Sequence, residues 1–334
     1  MGDRSAELKV RFRPTGGNMI GLECVSVSAR PTPRGGPFAR NVGLLALGFI
    51  LAMTSAGAAE TKTPKTTAAD KSQHRSSILE ASTSEASRRS AVASIPFEKL
   101  DDQARAKVQA VLSNISVYRR MPVRVVDCDP DLYLFLVRHP DVVVNIWEVL
   151  KLSKMKLSEL DANRFQVTEP NSTSVTLEFL YQSHDIHLVY AEGTYNGPLL
   201  SQPVKGSCLM VLRTGYVRET DGRHYVTTRL DSFLNVEHMG AELLAKLFQP
   251  LTGKIADANF CQTVAFAGSL SRTAELNSSG VRRLAGRLEH VQPAVRKRFA
   301  ELADLVAQRS SRYSLRRRSA TSQVVSLSAK AERR

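Results

Sequence analysis

Four long runs of alternating apolar and polar residues constrain the fold of this chain more than any other feature. In the first two runs, apolar side chains recur at every second residue: Val175, Leu177, Phe179 and Tyr181, then Ile186, Leu188 and Tyr190. A period of two is typical of half-buried strands in an antiparallel sheet. Ser183-His184 and Asp221-Gly222 separate the runs in pairs and predict hairpin connections. The sequence therefore predicts four antiparallel strands, at 173–182, 185–195, 205–219 and 224–236.

The flanking segments predict three shorter strands, at 121–127, 154–160 and 164–168. Two short helices are expected after the first of them, one over 130–138 and one over 140–150. A helical stretch from about His238 to Leu276 closes the block, with a kink near Gln249 because Pro250 cannot donate a helical hydrogen bond. A further amphipathic helix after Pro96 is expected on the outside of the domain or as its first element. These elements predict an α+β fold.

This order of elements resembles the START-like helix-grip superfamily, which includes the polyketide cyclase-like proteins. The resemblance covers about 121–276. It is carried by the element order, by the short-helix pair that runs through Pro140-Asp141 to Trp147, and by the helix from Gly240. It implies a curved antiparallel sheet of about seven strands packed on a long C-terminal helix, with an apolar cavity between them for lipids, sterols or aromatic compounds. The kink at Pro250 departs from a smooth gripping helix, and an NTF2-like or cystatin-like domain is the alternative.

The N-terminal part of the chain is predicted to be a leader and a spacer. The leader, 1–59, contains an apolar run at 42–53 that follows Arg40 and ends near Ala58-Ala59. This pattern is typical of a secretory signal peptide cleaved near Ala58 or Ala59, and the run is shorter than the about 20 residues of a membrane-spanning helix. An uncleaved anchor or a buried helix is the alternative. Residues 60–95 have few aliphatic side chains and predict a disordered spacer before a globular domain at 97–278. The protein is therefore expected to be exported, to the periplasm or the exterior.

The positive charge is concentrated at the two ends of the chain. The formal net charge is +14, yet residues 60–278 hold 25 basic and 25 acidic side chains. A nucleic-acid-binding core is therefore not expected. An amphipathic basic helix is predicted at 281–309, interrupted at Pro293, and a disordered basic tail at 310–334. That helix could dock on an anionic membrane surface or a protein partner; alternatively, it could be a solvated helix that packs on its own domain or pairs with a second copy.

Three sets of residues that could bind metal or form disulfides have simpler explanations. Cys128, Cys208 and Cys261 lie in apolar contexts without metal-site spacing and are expected to be buried free thiols. His184 and His187 fall on opposite sides of a strand, which does not suit a shared metal ion. The three carboxylates of Asp127, Asp129 and Asp131 lack the glycine and glutamate of a calcium loop, so helix capping is expected there.

No catalytic motif is present, and no cofactor or metal is expected, because the sequence contains no nucleophile elbow, phosphate loop or His-Glu-x-x-His. The residues expected to bind a ligand lie on the main strands: Phe179, Tyr181, Leu188, Tyr190, Met210, Leu212 and Arg229. Polar residues of the same strands could instead form cross-strand pairs on the solvent-exposed face.

These observations predict an exported, non-enzymatic domain that binds a hydrophobic small molecule or lipid, with a basic tail that attaches weakly to the cell envelope. A scaffold that acts through its C-terminal helix is the first alternative. A cyclase-type enzyme is the second, and it requires polar side chains that converge inside the cavity.

Overall fold

The computed structural model of the chain describes residues 80–168, 174–195, 203–220, 222–237 and 254–331. The predicted signal peptide, its cleavage site, most of the predicted spacer and the kink near Gln249 lie outside these residues. Within them, no helix is both long enough and apolar enough to span a membrane.

An antiparallel sheet of eight strands forms the centre of the described structure. The strands are β1 Val117–Arg120, β2 Arg124–Asp127, β3 Lys156–Asp161, β4 Arg164–Thr168, β5 Ser174–Gln182, β6 Ile186–Tyr195, β7 Val204–Arg218 and β8 His224–Val236. From β3 to β8 each strand pairs with the next one along the chain, and β1 and β2 both pair with β8. At the β3 edge, the register shifts between Glu159 and Asp161.

Of the first predicted strand, at 121–127, only 124–127 is a strand, as β2; the strand before it, β1, was not predicted, and the two lie end to end against β8. Residues 121–123 separate β1 from β2, and Pro122 in this gap has no N–H to donate to a neighbouring strand. The observed fold is α+β, as predicted, and the unpredicted strand β1 is why the sheet has eight strands instead of about seven.

The inner face of the sheet is covered by α3 Pro130–Arg138, α4 Pro140–Val149 and α5 Lys254–Leu276. The Asp129 side chain caps α3 by accepting hydrogen bonds from the backbone N–H groups of Asp131 and Leu132. Helix α5 comes so close to β2 at Gly268 that a Cβ there would clash with the side chain of Val126. A glycine is therefore required where this helix crosses the strand.

The outer face of the sheet is covered by α1 Glu85–Val92, a 3-10 turn at Phe97–Lys99 and α2 Asp102–Ser113. Val108 and Val111 of α2 pack in a second apolar cluster with Leu188, Leu209 and Phe233 from the sheet. The expectation of a helix on the outside of the domain is therefore met by α2.

Residues 85–92, at the end of the predicted spacer, are helical rather than disordered. Ser84 caps α1 by accepting a hydrogen bond from the N–H of Ser87, and Ala91 is fully buried. Backbone hydrogen bonds between Ser82 and Arg120 join this segment to β1. Tertiary contacts therefore order a segment whose composition alone predicts disorder.

The C-terminal helices are α6 Ser278–Gly286 and α7 Pro293–Ala331, so the helix breaks before Pro293 as predicted. The apolar stripe of α7, which includes Phe299, Leu302 and Val306, is buried in the main core. The basic helix thus packs on its own domain, which was one of the arrangements expected. The predicted disordered tail at 310–334 is instead helical as far as Ala331, in a segment without glycine or proline after Pro293.

Candidate functional site

A cavity of about 180 Å³ lies between the inner face of the sheet and helices α3, α4 and α5. Its lining is almost entirely apolar. Both the size and the lining are typical of a site for a small hydrophobic molecule, because an engineered apolar cavity of about 150 Å³ stays dry and binds benzene.

The sheet wall of the cavity is built by alternate residues of four neighbouring strands. Antiparallel register places Phe179 beside Val189 and Val189 beside Met210, while His187 lies beside Leu212. The side chains from the long strands that line the cavity are Leu177, Phe179, His187, Val189, Met210, Leu212 and Leu230. Because successive side chains alternate between faces, the residues between them project to the outer face.

The helical wall is contributed by residues that recur at helical spacing. Helices α3 and α4 supply Tyr133, Leu136, Val137, Pro140, Val143, Val144 and Trp147, and α5 supplies Phe260, Thr263, Val264, Phe266 and Ala267. The ring of Trp147 meets that of Phe266 edge to face, with 5.7 Å between centroids. This contact joins α4 to α5 on the side of the cavity away from the sheet.

Three of the seven residues that the sequence indicated for ligand binding line the cavity: Phe179, Met210 and Leu212. Leu188 and Tyr190 lie on the opposite face, where they pack in the outer cluster under α2. Tyr181 packs against the same outer cluster, because the register of β5 against β6 shifts between Phe179 and Tyr181. That shift interrupts the period of two on which the placement of Tyr181 depended.

Arg229, the remaining residue of the seven, is also outside the cavity. Its neighbour Asp231 is fully buried, accepts hydrogen bonds from Arg120 Nε and the Tyr118 hydroxyl at 2.7 Å each, and lies 3.5 Å from Arg229 Nε. The pKa of the Tyr118 phenol is raised by burial and by its bond to Asp231. These polar side chains form cross-strand pairs around the carboxylate of Asp231, as the alternative to ligand binding expects, but the pairs are buried and not exposed to solvent.

His187 is a polar residue of the lining that the sequence did not assign to the cavity, as are Tyr133 and Thr263. It is 1 % exposed, and neither ring nitrogen has a hydrogen-bond partner in the described structure. Burial lowers the pKa of His187 to about 4, so its imidazole is neutral at pH 7. The position of this histidine between Ile186 and Leu188, in an apolar run, was the signal that could have identified it.

The other candidate sites have structural roles. In the described residues all three cysteines are free. Cys128 and Cys208 are buried, which raises the pKa of both thiols, whereas Cys261 is only partly buried, contrary to expectation. His184 lies in the β5–β6 turn against the ring of Tyr216, with 4.3 Å between ring centroids. No cluster of histidine, cysteine, aspartate or glutamate in the described ranges is arranged to hold a metal ion.

The carboxylates of the predicted capping segment are also accounted for. Asp129 caps α3 and accepts two hydrogen bonds from Arg309 Nη1, at 2.8 and 3.1 Å, while Asp131 accepts one from Arg309 Nη2. Asp127 pairs with Arg223 at 2.9 Å. The prediction of helix capping is confirmed for Asp129, and Arg309 in addition joins α7 to the start of α3.

Comparison with known proteins adds little to this geometry. No family model matches the sequence, and no curated protein matches it. Among solved structures, truncated norcoclaurine synthase from Thalictrum flavum is similar over 44 % of this chain and 91 % of that one, at 12 % sequence identity and a TM-score of 0.29.

Proposed function

We propose that this protein is a helix-grip-type binding protein that holds a hydrophobic small molecule between its sheet and helices α3, α4 and α5. The observation that carries the proposal is the apolar cavity of about 180 Å³. A folded protein would lose dispersion contacts around such a void, and a bound apolar molecule would restore them. The volume favours a small molecule over a long-chain lipid.

The titratable side chains support binding rather than catalysis. Among the described residues that line the cavity, His187 and Tyr133 are the titratable ones. Burial lowers the pKa of His187 to about 4 and raises that of Tyr133 to about 12. A general acid or base works best with a pKa near the working pH, so both groups are poorly matched to proton transfer at pH 7. A non-enzymatic role therefore fits the cavity better than a cyclase-type reaction.

Filling the cavity tests the proposal. Val189 is partly buried and lines the cavity, so Val189→Phe places a ring in the ligand's space. Native mass spectrometry of the full chain, before and after incubation with indole, should show one bound molecule on the wild type. On the Val189→Phe variant, the bound fraction should fall at least about tenfold, since overlapping groups cannot share the space.

Val217→Phe is the matched control, because it makes the same substitution at an exposed position of β7. It should bind as the wild type does. Leu212→Phe is a second filling variant if Val189→Phe does not fold. Absence of any bound molecule on the wild type, or equal binding by all variants, would contradict the proposal.

We also propose that the chain is exported and that its basic C-terminal end gives weak attachment to an anionic envelope surface. The support is the run at 42–53 with its Ala58-Ala59 ending, together with the arginines after residue 309. The apolar stripe of α7 is buried in its own domain, so this attachment would be electrostatic. Expression of the full chain in a bacterium should give a periplasmic form that begins at residue 59 or 60. Exclusive recovery of an unprocessed cytoplasmic form would argue against export.

A further inference from the structure

The lining of the cavity is mainly apolar, and His187 is one of its few polar residues, with Tyr133 and Thr263. Its imidazole lies on β6 beside Leu212, it is 1 % exposed, and both ring nitrogens lack a hydrogen-bond partner among the described residues. A buried donor or acceptor without a partner costs about 1–3 kcal/mol, and nearly all such groups in folded proteins are paired. The unpaired nitrogens therefore point to a partner that the described residues do not supply.

The properties of that partner follow from the surroundings of the imidazole. A charged ligand would lose its hydration in an apolar cavity without an opposite charge to compensate, so an uncharged molecule is favoured. A neutral imidazole has one N–H donor and one acceptor nitrogen, so a hydroxyl group can pair with either nitrogen and a carbonyl group with the N–H. The volume of about 180 Å³ allows roughly one ring with a few substituent atoms.

We propose that the ligand of the cavity is an uncharged, mainly apolar molecule of about one ring that carries a hydroxyl or carbonyl group, and that this group hydrogen-bonds to the imidazole of His187. This inference rests on the proposed binding function and extends it to the chemical class of the ligand. His187 is then a specificity-determining residue. A site that offers a buried hydrogen-bonding group discriminates against analogues that lack the matching group.

The test uses two ligands that differ by one group. p-Cresol and p-xylene have nearly the same shape, but p-cresol carries a hydroxyl where p-xylene carries a methyl group. Both are titrated into the full chain by calorimetry, for the wild type and for His187→Leu. The ratio of the two Kd values should shift against p-cresol by about tenfold or more in His187→Leu, the size of one hydrogen bond.

Two further variants separate the hydrogen bond from general packing. His187→Gln retains a donor and an acceptor and should recover part of the preference for p-cresol. Met210→Leu changes an apolar lining residue and should alter both Kd values together. Binding of p-xylene to each variant shows that it is folded and that its cavity is intact.

The outcomes distinguish this inference from the proposed function. If p-xylene binds and the ratio is the same in the wild type and His187→Leu, the inference is overturned while the binding function stands. If neither ligand binds to the wild type, both fail. If His187→Leu does not fold, His187→Met takes its place, because its side chain also has no N–H donor, and an unchanged ratio of the two Kd values there overturns the inference.

Discussion

Two buried titratable residues near the cavity respond to pH in opposite directions. Asp141, in the first turn of α4, is 1 % exposed, and burial raises its pKa from an ordinary 3.8 to about 6, with the charge of Glu159 adding to the shift. His187 has its pKa lowered by burial from an ordinary 6.5 to about 4. Between about pH 4 and pH 6, the folded state therefore binds more protons at Asp141 than the unfolded state does, and fewer at His187. The two contributions to the pH dependence of stability therefore offset each other in the wild type.

The substitution Asp141→Asn removes the contribution of Asp141 to the pH dependence and leaves that of His187. The carboxyl of Asp141 stabilises the folded state most below pH 3.8, and this contribution is lost as the pH rises through about 6, because the charged form is the costly one when buried. A shift of this size corresponds to about 3 kcal/mol. The free energy of unfolding of the wild type, relative to Asp141→Asn, should thus fall by most of that amount, about 2 kcal/mol, between pH 4 and pH 7.

Urea denaturation at several pH values measures this difference, and His187 contributes equally to both proteins. Asp102→Asn, at a fully exposed first-turn position of α2, is the control for loss of an acidic side chain. A difference between the wild type and Asp141→Asn that stays constant over this range would refute the assignment.

At the scale of elements, the contact between α5 and β2 depends on Gly268. Alanine is better than glycine in a helix by about 1 kcal/mol, but its Cβ at position 268 would clash with Val126 and move the helix away from the strand. Gly268→Ala should therefore destabilise the protein by about 1–3 kcal/mol despite its better helix propensity. Chemical denaturation measures the effect.

Gly286, the last residue of α6, is the matched control, since a Cβ there meets no atom within 4 Å. Gly286→Ala should leave the stability unchanged or raise it slightly. Equal effects of the two substitutions would show that α5 does not rest on β2 as described.

The elements differ in how far the sequence could predict them. The long strands, the capping of α3 by Asp129 and the break before Pro293 follow from local patterns, which are set by period, turn residues and proline. The register shift after Phe179 does not, because a bulge depends on how two strands pair and leaves no fixed residue pattern. This is why Tyr181 was expected to bind ligand and instead packs under α2.

The candidate site was predictable in part for the same reason. Alternation identified strands that carry Phe179, Met210 and Leu212, but it could not say which face of the sheet encloses the cavity. Continuous apolar stretches such as Leu209-Met210-Val211-Leu212 are typical of strands buried on both faces, and here both faces are indeed covered. With a core on each face, Leu188 and Tyr190 are structural residues of the outer cluster.

At the scale of the whole molecule, the C-terminal helix is part of the core of the domain. Phe299 of α7 is fully buried, and its ring stacks on that of Phe135 in α3 with 5.9 Å between centroids. Phe299→Ala should destabilise the protein by about 3–5 kcal/mol through the cavity it leaves. Thermal unfolding followed by circular dichroism measures the loss.

Leu305→Ala removes a partly exposed side chain from the same helix and should cost less than about 1 kcal/mol. If both substitutions had small effects, α7 would not be required for the stability of the domain and would be free to act as the scaffold alternative requires. A large effect confined to Phe299→Ala would instead place α7 within the folding unit.

The two edges of the sheet affect how this protein behaves at high concentration. At one edge, β3 carries a register shift and exposed charged residues such as Lys156 and Asp161. At the other, β1 and β2 are four residues each, and β1 is further covered by its backbone bonds to Ser82. An exposed edge strand can pair with a strand of a neighbouring molecule. Short strands, shifts of register and charged side chains hinder such pairing. Within the described residues, neither edge of the sheet has a long and regular strand free for pairing, so the folded protein should resist aggregation by strand addition.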